Sequence, residues 1–129
     1  MKEEILLVKI HNSLAEGKSD YEATQGNWRI SKHRFPYIQY AAGVHHGKVV
    51  SVFQPEEWEI IQEGPDKGRK RFTGTEASSE LLKKLQMVED KVMRKFGSRN
   101  AIAYLSLEEL DQLVSNCQAT KYSKHHATK

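Results

Sequence analysis

Between Tyr21 and Arg34 the chain reads Tyr-Glu-Ala-Thr-Gln-Gly-Asn-Trp-Arg-Ile-Ser-Lys-His-Arg, with rings, short polar side chains, a glycine and permanent cations packed into one window. These residue types suit an anionic ligand with a flat part. Rings stack on bases, guanidinium groups fork onto phosphate oxygens, and glycine lets backbone come close. The candidate contacts are Tyr21 and Trp28 for stacking, Arg29, Lys32 and Arg34 for phosphate, and Thr24 and Asn27 for hydrogen bonds to a base or ribose. A second basic run, Lys67, Arg69, Lys70 and Arg71, adds Lys70 as a candidate nucleic-acid contact. Each run also has a plainer reading as a solvated face. Trp28 has one as a core plug that closes one end of the sheet. Plug and stacking platform are compatible, because an indole has two faces.

Other chemistries find less support. His45-His46 is a candidate half of a metal site, but neighbours on an extended strand point apart, and no H-x-x-x-H or C-x-x-C partner follows. A turn role is expected there instead. Cys117 falls on the apolar side of the last helical stretch and reads as a buried thiol rather than a nucleophile. Glu56, Glu57 and Glu59 flank Trp58 and Asp66 sits in a turn, yet no Asp with a following Glu-x-Lys assembles a magnesium site. Motifs for a nucleophile elbow, a P-loop and a dinucleotide fold are all missing. No catalytic residue is assigned, and neither a cofactor nor a metal is expected. The reading is of a binding domain, with the enzyme question left open.

The whole chain sets the bounds. Its 129 residues fit one domain over 1–120 with a flexible, solvated tail over 121–129. Hydrophobic content of 38% and charged content of 29% describe a soluble globular chain. A net charge of +3 is too mild to demand a nucleic-acid partner by itself, so the distribution of charge matters more. A single cysteine excludes an internal disulfide, and a cytoplasmic location with no membrane partner is expected.

The elements that must position these residues follow from periodicity. Ile5–Ile10 reads as a buried strand, and Ser19 as the cap of a helical turn over Tyr21–Gln25 that Gly26 stops. Tyr37–Val44, Val49–Phe53 with a continuation at Trp58, Ile60 and Ile61, and Arg69–Thr73 read as an antiparallel meander. Its turns lie at His45-His46-Gly47-Lys48 and Gly64-Pro65-Asp66-Lys67-Gly68, and Pro55 predicts an edge or bulge. Leu81, Leu85, Val88, Val92 and Phe96 form an apolar stripe on a helix over 79–96. Ala101–Leu105 reads as a last strand, and Ser106-Leu107-Glu108-Glu109 opens a second helix bearing Leu110, Leu113, Val114 and Cys117. The expected class is α+β, an antiparallel, barrel-like sheet with peripheral helices.

The run Tyr21–Arg29, together with Ile38-Gln39-Tyr40-Ala41-Ala42-Gly43-Val44, Gly47-Lys48-Val49-Val50-Ser51-Val52-Phe53 and Trp58, resembles a small bacterial family of uncharacterised domains. In layout it is similar to the PUA-like superfamily, which includes the ASCH and EVE domains. That resemblance implies a compact β-barrel and RNA binding, or recognition of a modified base, in a cleft beside the barrel. Asn100-Ala101-Ile102-Ala103-Tyr104 also resembles that family, and Asn100 either completes the cleft or starts a strand. Gln25 stands where an arginine is expected in the T-x-G-x-W stretch. The function expected is therefore a nucleic-acid or nucleotide-binding domain. The alternative is a non-catalytic adaptor whose partner surface is the 79–96 helix with the acidic strand around Trp58.

Overall fold

The computed structural model describes residues 3–97 and 100–127, with side-chain surroundings through 118. Five strands form one sheet in the order β4-β3-β2-β1-β5. β1 (Glu4–Lys9) is flanked by β2 (Ile38–His45), to which it runs parallel, and by β5 (Ile102–Ser106), to which it runs antiparallel. β3 (Lys48–Ile60) and β4 (Lys70–Glu76) complete the expected antiparallel meander. The class is α+β. The sheet is open among the described residues: no pairing joins β4 to β5, so the strands do not close into the expected barrel.

The parallel β1–β2 pair departs from an all-antiparallel sheet, and its reason lies in the crossover. Two parallel strands need a long connection. Here it carries α1 (His11–Ala15), α2 (Asp20–Gln25) and a 3₁₀ segment (Lys32–Tyr37). β1 lies inside the sheet between β2 and β5, its side chains face apolar layers on both sides, and Ile5, Leu6, Leu7 and Val8 are fully buried. A continuous apolar run is what such a strand requires.

One layer packs Ile5, Leu7, Val44, Val49, Leu105 and Ala103 under the helices α3 (Ser79–Met87), α4 (Glu89–Met93) and α5 (Leu107–Ala127). The expected single helix over 79–96 is broken at Val88, whose φ of −117° and ψ of 29° leave the helical region. The break keeps the stripe on the sheet, since Leu85, Val88 and Val92 stay buried. It also sets two polar side chains onto the sheet margin. Gln86 Nε2 donates to Val49 O (3.0 Å), and the Glu89 carboxylate accepts Val49 N–H (2.8 Å). α5 starts as its sequence predicts, with Ser106 Oγ accepting Glu109 N–H at 3.0 Å. The Glu109 carboxylate does not close the box. It pairs with Lys95 Nζ at 2.9 Å. α5 continues helical to Ala127 through the segment expected as a tail, and residues 128 and 129 lie outside the described residues.

The opposite layer packs Leu6, Val8, Ile10, Ala23, Ile30, Ala41, Phe53 and Phe72, with Tyr21, Trp28, Phe35, Trp58 and Tyr104 at its margin. The bulge expected near Pro55 is present, as the β3–β4 register shifts between Pro55 and Glu57. Gly74 lies opposite, and a Cβ there would sit 2.2 Å from Gln54 O, so only glycine fits.

Candidate functional site

The site is built on the crossover. Ser19 caps α2 by a reciprocal box: its hydroxyl accepts Glu22 N–H (3.2 Å), and the Glu22 carboxylate accepts Ser19 N–H (3.1 Å). Those hydrogen bonds hold the Glu22 carboxyl below its ordinary range. Gly26 follows α2, and a Cβ there would press 2.8 Å from Arg71 Cβ, so the chain crosses β4 closely. It then pairs with the edge of β4 through one bridge. Trp28 N–H donates to Lys70 O (2.9 Å) and Lys70 N–H to Trp28 O (2.8 Å). Trp28 Nε1 donates back to Thr24 O at 2.9 Å, which fixes the indole with its ring against the second core layer.

Two hollows flank this strap. The first, of about 440 Å³, is lined by Asn27, Trp28, Arg29, Arg69, Asn100, Ala101 and Ile102. Residues beside β4 and residues at the start of β5 thus face each other across it, although those strands are opposite edges of the sheet. Trp28 stands in the seam. The second hollow, of about 450 Å³, is lined by Arg29, Ser31, Lys67, Arg69 and Lys70 among others. Arg29 and Arg69 belong to both. Asp66 is engaged by Arg69 (3.3 Å) and by Asn27 Nδ2 (2.8 Å). Arg29 is exposed and makes no ion pair among the described residues. Lys70 Nζ donates to Gly68 O at 2.7 Å. Arg29, Lys67, Arg69 and Lys70 line the two hollows and no carboxylate among the described residues does, which makes the double hollow electropositive.

The residues expected to act together divide in two. Asn27, Trp28, Arg29 and Asn100 meet in the first hollow, and Lys70 joins Arg29 in the second. Tyr21 is elsewhere: its hydroxyl accepts Gly74 N–H (3.1 Å) and its ring packs edge-on against Phe53 and Phe72. It is a core residue, not a stacking platform. Thr24 is wholly buried beside Gly43 and lines neither hollow. Arg34 points to the other sheet edge, paired with Glu4 (2.9 Å), its guanidinium carbon 3.8 Å from the Tyr104 ring centroid. Burial pushes the Tyr104 phenol up. Lys32 is exposed on the 3₁₀ segment and lines neither hollow. The cause is local: a 3₁₀ turn capped by Ser31 separates Lys32 and Arg34 from Arg29, where the sequence suggested one continuous basic face.

Arg69 and Lys67 were the missed members. They stood in the second basic run, and the tight 64–68 turn that carries them past Asn27 is the signal that could have promoted them. Arg71 of the same run is spent on an ion pair with Glu59. The surface proposed for an adaptor is also partly consumed, because the α3–α4 stripe faces the sheet and only Met87 stands out from it.

Among the described residues no group of histidine, cysteine and acidic side chains is arranged to hold a metal, and no helix is long and apolar enough to cross a membrane. Comparison with known proteins finds no matching family model, no matching curated protein and no matching solved structure.

Proposed function

We propose that this chain is a nucleic-acid or nucleotide-binding domain, and that the Trp28 seam is where it grips its ligand. The observation that carries the reading is that Arg29 and Arg69 are shared by two adjoining hollows, one walled by an indole and the other by Lys67 and Lys70. A base seated against Trp28 would leave its phosphate at the two guanidinium groups, and the next phosphate would fall among the lysines. Stacking contributes about 1–3 kcal/mol per base, and the cations make binding salt-dependent. The PUA-like kinship and its barrel-like sheet belong to the same proposal. It is supported by the way residues from both sheet edges line one hollow beside the indole.

Fluorescence titration with short single-stranded RNA and DNA tests this reading, in a Trp58→Phe background so that Trp28 is the reporter. Quenching at low salt that weakens at high salt, and that Arg29→Ala with Arg69→Ala abolishes, is expected. Absent or salt-insensitive binding sinks the proposal and returns the chain to the adaptor reading.

A further inference from the structure

At another place in the fold a third hollow, of about 350 Å³, opens among β1, the β2–β3 turn and the end of α4. Its polar lining is Lys9, His11 and His46, and its apolar lining is Val44, Met93 and Phe96. The imidazoles of His11 and His46 stack with centroids 5.2 Å apart, and His45 lies 4.3 Å from His46. The turn role expected for His45-His46 is present, and it brings the two rings together where an extended strand would have pointed them apart. His46 is not on an extended strand: it is the first residue of a two-residue hairpin turn, at φ 49°, with Gly47 at φ 81°. Left-handed backbone strains any residue with a Cβ, by about 1–2 kcal/mol. A histidine sits there, aimed at two other basic groups.

The charged groups around this hollow are one-sided. Lys9 Nζ lies 4.8 Å from the Phe96 ring centroid, held at the wall. Lys48 follows the turn as a further cation. No carboxylate among the described residues lines the hollow. Of the acids on the neighbouring elements, Glu16 faces Lys18 at 4.0 Å, Glu89 accepts Val49 N–H, and Asp90 is exposed on α4.

We infer that this hollow is a second, proton-gated binding site for a tetrahedral oxyanion, gripped by Lys9, His11 and His46. Histidine is the side chain that gains its proton between about pH 8 and 5. Anion binding and protonation are therefore coupled, and affinity rises as pH falls. The Val44, Met93 and Phe96 wall suits an oxyanion carried on an apolar or flat body better than a bare one.

Inorganic sulfate is the first probe, because its own charge does not change across this range. Isothermal titration of the full chain at pH 8.0 and pH 5.5 is expected to show tighter binding at the lower pH, by about tenfold for each linked proton per pH unit. Phenyl phosphate against inorganic phosphate at one pH then distinguishes a carried oxyanion from a free one. His46→Asn keeps a side chain that tolerates the left-handed turn and removes the gate, so the pH dependence is expected to shrink. Lys9→Met is expected to weaken binding at both pH values. Sulfate binding that is absent at both, equal at both, or unchanged in its pH dependence in His46→Asn overturns the inference.

Discussion

Gly43 shows how little slack single residues have. A Cβ there would lie 2.6 Å from Thr24 Oγ1, 2.8 Å from Ser51 Oγ and 2.9 Å from Ile10 Cδ1, all on buried side chains. Neither hydroxyl has a partner among the described residues. Gly43→Ala is therefore expected to destabilise by about 1–3 kcal/mol, read as a lower urea midpoint. Tyr21 makes a second case. Tyr21→Phe keeps the ring packing but strands Gly74 N–H beside the Pro55 bulge, and a loss of about 1–3 kcal/mol is expected in the same assay. At this scale the sequence misled in one way. Aromatic, hydroxyl and cationic side chains within fourteen residues looked like one ligand surface. Composition does not say which ring is needed to satisfy a bulge amide, and that is settled by Gly74, fifty-three residues away.

Elements were more legible than sites, because periodicity and caps are local. Ser19, Gly26, the 46–47 turn and Ser106 each sit where capping and turn chemistry placed them. The β1–β2 direction was not legible, since a crossover made of two short helices and a 3₁₀ turn has no strong period of its own. The α3–α4 break was hidden by an unbroken stripe. The cap of α2 carries a pH dependence. The Glu22 carboxyl is depressed in the fold, so its contribution is present above its unfolded value of about 4.3 and is lost as pH falls through the lower folded value. Backbone amide exchange over residues 20–25 is expected to quicken in that acid window. Ser19→Ala is expected to reduce but not abolish this local acid response, because the side-chain half of the box is lost while the backbone N–H of residue 19 still donates to the Glu22 carboxylate.

For the whole molecule, the placement of charge carries more than its total. The +3 of the chain says little, while Arg29, Lys67, Arg69 and Lys70 gather at one seam. If all four meet phosphates of a single strand, the log–log salt slope of binding is expected near −3. Replacing Lys70 with Gln should lower that slope by about one phosphate's share. A slope that does not change would remove Lys70 from the interface. The seam itself was invisible in the sequence, because it joins Trp28 and Arg69 to Asn100 and Ile102 only after the sheet has brought its two edges to one hollow.

β1 has a further consequence for how this chain is made. Leu6 is sandwiched between Ala41 and Tyr104, so this interior strand leaves the ribosome well before the β5 neighbour that covers one of its edges. Until that neighbour arrives, a row of unpaired amides beside four of the most oil-like residues in the protein stands open to any passing strand. Nascent chains stalled short of Ile102 would be clients for chaperones, whatever the finished domain binds.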